Sequence, residues 1–180
     1  LVLALARPEG ECVIPGLARM QRNVAFVVDR SYSMGYQAGA GNLFDRAVSF
    51  VEDTLSRQLK DGDRVVVIVY DEQARSLTPD PIFLDAGSAR KVLDDLRETG
   101  VSTQRTSLGP AMKELLDILG RFDHGEKERP VSVPVEAFVL TDMQRNQILE
   151  DDHLRDRSLP DTMKTLGDKG VRTHFVDLSL

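Results

Sequence analysis

Three short runs of almost unbroken apolar residues limit what this chain can fold into more than any other feature. They lie at 23–29, 65–70 and 137–140. Apolar runs without alternation are typical of strands that are covered on both faces of a sheet. A further strand is predicted over 171–178, and a short edge strand over 74–78, which ends before two prolines.

Amphipathic helices are predicted between these strands. Asn42 and Ser88 are predicted to cap the first two, because each stands before apolar residues that recur at spacings of three and four. The third helix is predicted to begin at Thr106 or Ser107, and a last short helix contains Met163. Strands that alternate with helices predict an α/β fold, with a doubly wound, mostly parallel sheet and helices on both faces.

The composition bounds the class of protein. At 180 residues, the chain is long enough for one domain with a full hydrophobic core. Lys and Arg number 23 and Asp and Glu number 29, so the net charge is −6. This balance argues against general nucleic-acid binding, which depends on neutralising phosphates. Cys12 is the single cysteine, which excludes an intrachain disulfide and a multi-cysteine zinc site.

The amino end of the chain differs in character from the rest. Residues 1–8 are predicted to be the end of a truncated membrane helix, residues 9–22 a linker, and residues 23–180 the folded domain. The apolar run 1–6 is far shorter than the ~20 residues that span a bilayer. From composition alone, a short helix or first strand that packs on the domain is an equally good interpretation.

Hydroxyl and carboxylate side chains follow the predicted strands at one edge of the sheet. Asp29, Ser31 and Ser33 follow the first strand, Thr106 precedes a helix, and Asp142 follows the third strand. Ligands of open α/β sheets bind at the carboxyl ends of the strands, where the strand order reverses. Two carboxylates and three hydroxyls form an all-oxygen set, which suits Mg²⁺ or Mn²⁺ better than Zn²⁺ or Cu²⁺. The sequence therefore predicts a divalent-cation site here.

These residues resemble the metal-ion-dependent adhesion site of the von Willebrand factor type A family. The first motif of that site, Asp-x-Ser-x-Ser, is found at 29–33, the second is Thr106, and the third is Asp142 after a buried strand. The resemblance covers residue 23 to the end of the chain and implies a Rossmann-like fold. It also implies a non-enzymatic protein-interaction domain, in which the hydroxyls and carboxylates hold Mg²⁺ (or Mn²⁺). One coordination position is left for an acidic group of a protein partner.

The sequence departs from the family pattern in two places. Gln104 and Arg105 stand where small glycines often precede the threonine, and Met143 stands where a glycine often follows the last aspartate. Neither change removes a predicted ligand. Arg105 is expected to lower cation affinity or to help hold an acidic partner.

Two stretches resemble one subgroup of that family, the bacterial membrane-anchored proteins of the aerotolerance (Bat) type. They are the sequence Leu-Ala-Arg-Pro at 5–8 and the sequence Thr-Asp-Met-Gln-Arg at 141–145. The resemblance implies anchoring in the cell membrane, with the domain on the outer or periplasmic side. It also implies partners in a membrane complex, such as a MoxR-type AAA ATPase system.

Two other functions remain open from the sequence. One is a Mg²⁺-dependent phosphoryl-transfer or hydrolytic enzyme domain, which would need a nucleophile or base near Asp29. A catalytic Ser33 would need a histidine beside it, and none of His124, His153 and His174 has a spacing that predicts this. The other is a degenerate scaffold domain that binds no metal.

Overall fold

The computed structural model describes residues 21–39, 41–122, 134–143 and 158–180. The strands are β1 (Asn23–Asp29), β2 (Gln37–Ala38), β3 (Gly41–Asn42), β4 (Arg64–Tyr70), β5 (Ala74–Ser76), β6 (Ile82–Phe83), β7 (Val135–Thr141) and β8 (Arg172–Asp177). The α-helices are α1 (Leu43–Arg57), α2 (Ala86–Thr99), α3 (Leu108–Phe122) and α4 (Ser158–Asp168), and a short 3-10 helix spans Tyr32–Gly35.

Several predictions concern residues outside these ranges. The membrane helix over 1–8, most of the linker over 9–22, Cys12, His124 and His153 all lie outside the described residues. Within the described part of the chain, no helix is long and apolar enough to cross a bilayer.

The main sheet has the strand order β5-β4-β1-β7-β8, and β6 also pairs with β4. Strands β4, β1, β7 and β8 are parallel, whereas β5 and β6 run antiparallel to β4. The predicted α/β class with a mostly parallel sheet is therefore confirmed, and β5 is the predicted edge strand. The chain moves from β1 to β4 on one side and later to β7 on the other, so the strand order reverses beside β1.

Helices cover both faces of the sheet because successive side chains of β1 point to opposite faces. Val24, Phe26 and Val28 pack in one buried cluster with α1 and α2. Ala25 and Val27 pack in a second buried cluster with α3 and α4. Every residue of β1 is buried, which explains the continuous apolar run in its sequence.

The starts of the first two helices test the predicted caps. Asn42 caps α1 as predicted, and its side chain accepts a hydrogen bond from the backbone N–H of Asp45. The prediction for α2 is wrong, because its cap is Asp85 and Ser88 stands three residues inside the helix. The N–H of Ser88 donates to Asp85 Oδ1 at 2.7 Å, and the N–H of Asp85 donates to Ser88 Oγ at 2.8 Å. Ser88 therefore completes a capping box that Asp85 begins.

Candidate metal centre

The carboxylate of Asp29 lies at the carboxyl end of the central strand and is fully buried. Its Oδ1 atom accepts a hydrogen bond of 2.8 Å from the backbone N–H of Ser31. Its Oδ2 atom accepts two hydrogen bonds of 3.0 Å, from Thr106 Oγ1 and Thr141 Oγ1. One carboxylate thus joins the loop after β1, the loop before α3 and the end of β7.

The two serines of the first motif lie in the tight loop that follows β1. Their hydroxyls are 3.3 Å apart, from Ser31 Oγ to Ser33 Oγ. The loop is wound into the 3-10 helix by backbone bonds from Met34 to the carbonyl of Ser31 and from Tyr36 to the carbonyl of Ser33. The Met34 side chain is fully buried and anchors this turn in the core. Both hydroxyls are thereby held beside Asp29.

Backbone hydrogen bonds hold the loop of Thr106 against the loop after β1. The N–H of Tyr32 donates to the carbonyl of Gln104 at 2.9 Å, and the N–H of Ser102 donates to the carbonyl of Arg30 at 2.6 Å. Arg30 also forms an ion pair with Asp71, with Nε and Oδ2 3.5 Å apart. The position of Thr106 therefore depends on bonds made by its neighbours and by the loop after β4.

Asp142 lies directly after β7, the strand that pairs with β1 on the side where the strand order reverses. It is 7% exposed, and Thr141 before it is also buried. The carbonyl of Thr141 accepts a hydrogen bond of 3.0 Å from the N–H of Leu178, which holds this end of β7 against the end of β8. The second carboxylate is thus fixed at the same edge of the sheet as Asp29.

The structure places all five predicted residues at this edge. Asp29 contacts Ser31 and Thr106 directly, and Ser33 contacts Ser31. The predicted ligand set does not include two further residues that join the centre. Thr141 bonds to Asp29, and Tyr70 pairs with Asp29 across the sheet. Both stand at the ends of apolar strands, where the sequence pattern indicates only burial.

Burial dominates the electrostatics of the centre. It raises the pKa of Asp29 above the ordinary value of 3.8, although hydrogen bonds from Ser31, Thr141 and Thr106 act to lower it. Burial also raises the pKa of Tyr70 well above 10.0, and the charges of Asp29 and Asp142 raise it further. A carboxylate that is removed from water in this way gains from a nearby cation.

The side chains present fit a small, hard cation. Carboxylate and hydroxyl oxygens are the ligands that Mg²⁺ and Mn²⁺ prefer. In the ranges that the structure describes, no group of three or more His, Cys, Asp or Glu side chains lies close enough to hold a metal ion. A centre at this edge would therefore combine Asp29 and Asp142 with hydroxyls.

Solved structures share this fold at low sequence identity. An aerotolerance-related membrane protein from Bacteroides fragilis matches with a TM-score of 0.60 and 19% identity, over 86% of this chain and 66% of that one. The conserved hypothetical protein BatB from Bacteroides thetaiotaomicron matches with a TM-score of 0.58 and 16% identity, over 86% and 65%. Proximal thread matrix protein 1 from the mussel byssus matches with a TM-score of 0.58 and 18% identity, over 86% and 35%.

The chain therefore spans just under two thirds of the two Bacteroides chains and about a third of the mussel chain. Two of these neighbours are of the aerotolerance type that the sequence resembles. No curated protein sequence matches. The family model of the von Willebrand factor type A domain matches residues 24–144, which is more than half of the chain and includes all five predicted site residues. The chain belongs to the von Willebrand factor type A domain family.

Proposed function

We propose that this domain binds a protein partner through a divalent cation, Mg²⁺ or Mn²⁺, and catalyses no reaction. The observation that carries the proposal is the convergence on Asp29 of the hydroxyls of Thr106 and Thr141 and the backbone N–H of Ser31, which come from separate elements. Asp29, Ser31, Ser33, Thr106 and Asp142 would hold the ion. The ion would supply a positive charge that attracts a carboxylate of the partner.

The charge balance of the centre supports an acidic partner. The hydroxyls of Ser31, Ser33 and Thr106 carry no formal charge, so only two carboxylates oppose the charge of the dication. Mg²⁺ takes six oxygen ligands, and five crowded side chains leave room for a water molecule or an outside ligand. A partner carboxylate in that place would be attracted strongly, because a partly dry cleft screens charge less than bulk water does.

The surface around the centre suits a partner with apolar groups beside its acidic residue. Tyr32 and Tyr36 are 70% and 72% exposed, and Met143 is 39% exposed. Arg105 is exposed and directly precedes Thr106. Aromatic residues, Met and Arg are the side chains enriched in protein interfaces. We assign these residues to the rim that contacts the partner.

The proposal extends to the cellular setting. A solved neighbour is described as an aerotolerance-related membrane protein. We propose that the native protein is likewise anchored in the cell membrane, with this domain on the outer or periplasmic side. A MoxR-type AAA ATPase system or another subunit of a membrane complex is the partner that this setting suggests.

Asp29→Ala tests the metal centre directly. The change removes the carboxylate on which the other ligands converge, so calorimetry should detect Mn²⁺ binding to the wild-type domain and none to the variant. Ser33→Ala is a milder change that should weaken binding without removing a buried group. Asp177→Asn is the matched control, because Asp177 ends the neighbouring strand β8 and its Oδ1 accepts hydrogen bonds from the N–H and the hydroxyl of Ser179.

The control should bind Mn²⁺ as the wild type does. Circular dichroism of each variant checks that the fold is intact. Unchanged Mn²⁺ binding in both Asp29→Ala and Ser33→Ala would show that the ion site lies elsewhere.

The metal requirement of partner binding is a separate prediction. EDTA should release a captured partner, because the ion carries the attraction, and added Mg²⁺ should restore the complex. Replacement of the key partner Asp or Glu by its amide should weaken binding by more than tenfold, since a carboxylate on a dication contributes several charge-assisted contacts. A complex that survives both treatments would place the interaction surface elsewhere on the domain.

A further inference from the structure

The hydroxyl of Tyr70 is an unexplained polar group inside the candidate metal centre. Tyr70 ends β4, is 0% exposed and pairs with Asp29 across the sheet. Its Oη atom is buried and has no hydrogen-bond partner among the residues that the structure describes. The other residues of β4 on the same face, Val66 and Ile68, pack in the same buried cluster without any polar side-chain atom.

The surroundings of this hydroxyl are the ligands of the proposed centre. The hydroxyls of Thr141 and Thr106 lie near the phenol oxygen, but neither makes a hydrogen bond of good geometry with it. Burial is the largest cause that raises the pKa of the phenol, and the charges of Asp29 and Asp142 also act on it and raise its pKa further. The ring belongs to the buried cluster that includes Leu108 and Met112 of α3, so it cannot swing out to solvent. The hydroxyl therefore faces the side chains of the proposed centre, Asp29, Thr106 and Asp142.

A buried hydroxyl without a partner destabilises a fold, whereas Phe would pack in the same space without that penalty. Tyrosine is therefore an unfavourable residue at this position when only the protein is considered. The balance changes when other oxygen atoms enter the centre, because the phenol can then donate its O–H and accept in return.

We propose that Tyr70 is a positioning residue for the metal centre, and that its hydroxyl makes its hydrogen bond only to the oxygen atoms that surround a bound divalent cation. This inference rests on the proposed function. The unbonded hydroxyl destabilises the ion-free domain, and its hydrogen bond stabilises the domain that holds a cation. Both effects favour the ion-bound state. Tyr70 does not coordinate the ion itself. Its hydroxyl instead forms a hydrogen bond to an oxygen atom that coordinates the ion.

Tyr70→Phe tests the inference, because it removes one oxygen and keeps the ring. Calorimetry with Mn²⁺ alone should give an affinity about tenfold weaker than that of the wild type, in line with the loss of one hydrogen bond in a charged site. Thermal unfolding in EDTA should give a midpoint equal to or higher than that of the wild type. A merely structural role of the hydroxyl would lower that midpoint and leave the Mn²⁺ affinity unchanged.

Thr78→Val is the matched control for loss of a buried hydroxyl. Thr78 Oγ1 accepts a hydrogen bond of 2.9 Å from the N–H of Val67, and the residue is 6% exposed. Thr78 precedes Pro79 and bonds to the middle of β4, away from Asp29. This variant should unfold at a lower temperature in EDTA and bind Mn²⁺ with wild-type affinity.

The outcomes separate this inference from the proposed function. Wild-type binding of Mn²⁺ with an unchanged affinity in Tyr70→Phe would overturn the inference and leave the proposed function standing. A lowered midpoint of Tyr70→Phe in EDTA would also overturn it, because the hydroxyl would then be bonded without the ion. Absence of Mn²⁺ binding in the wild type would overturn both.

Discussion

Met143 has a backbone conformation that its side chain disfavours. Its φ is +52°, and no other residue except glycine has a positive φ in the described ranges. In this left-handed region the Cβ atom crowds the following carbonyl oxygen, which costs roughly 1–2 kcal/mol. Met143 directly follows Asp142, so the strain lies beside a proposed ligand. Strained residues of this kind are common at functional sites.

Met143→Gly should therefore stabilise the domain. Glycine adopts a positive φ without a steric penalty, and the exposed methionine side chain contributes little burial. We expect the free energy of unfolding to rise by about 1 kcal/mol, measured by urea denaturation. Met143→Ala keeps the Cβ atom and serves as the control, which should show no such gain. Equal unfolding midpoints for the two variants would mean that Met143 is not strained.

The proposed centre illustrates what a sequence reveals at the scale of residues. The common location of Asp29, Ser31 and Ser33 at the end of β1 could be predicted, because their spacing is a local motif after an apolar run. The contacts of Tyr70 and Thr141 with Asp29 could not, because they depend on which strands lie next to β1. That order is set by long-range pairing between residues more than 40 positions apart, and one sequence gives no direct measure of it.

Helix α1 begins with a reciprocal pair of hydrogen bonds. Asn42 Oδ1 accepts from the N–H of Asp45 at 2.8 Å, and Asp45 Oδ2 accepts from the N–H of Asn42 at 2.9 Å. Two N–H groups that the helix leaves without partners are satisfied in this way. The negative charge of Asp45 in the first turn also opposes the positive end of the helix dipole. This cap fixes where the segment after β1 ends and the helix begins.

Asn42→Ala should destabilise the domain by about 1 kcal/mol, because the cap acceptor is lost. Asn42→Asp retains an oxygen acceptor at the same position and should remain close to the wild type. Urea denaturation of the two variants measures the difference. If Ala and Asp at this position give the same unfolding free energy, the observed cap does not contribute to stability.

The second helix explains why the position of a cap is harder to predict than its presence. Ser88 stands directly before Ala89, the first apolar residue of the predicted helical pattern, and so resembled a cap. The helix begins earlier because Asp85 has extended backbone and a carboxylate that reaches the N–H of Ser88. The intervening Ala86 and Gly87 carry no periodic signal, so the pattern of apolar residues could not reveal the extra turn.

Residues 1–8 are predicted to be the end of a membrane helix, and side chains suited to lipid have no required place in the core of the domain. Deletion of residues 1–7 should therefore change the free energy of unfolding by less than about 1 kcal/mol. Leu115→Ala provides the calibration, because Leu115 is fully buried in α3 and its truncation should cost about 2–5 kcal/mol. A loss of that size in the deletion variant would assign the apolar run 1–6 to the core of the domain.

The direction of β1 places the proposed centre at one edge of the sheet and the start of the strand at the opposite edge. β1 runs from Asn23 to Asp29, so its two ends are about 20 Å apart along the strand. Arg22, just before β1, forms an ion pair with Glu136 at the base of β7, and Gln21 bonds to the carbonyl of Gly62. A tether joined through residue 21 would thus hold the domain by the edge opposite Asp29. The rim of Tyr32 and Tyr36 would then face away from the surface to which the tether is attached. The length of β1 contributes to the distance between that surface and the rim.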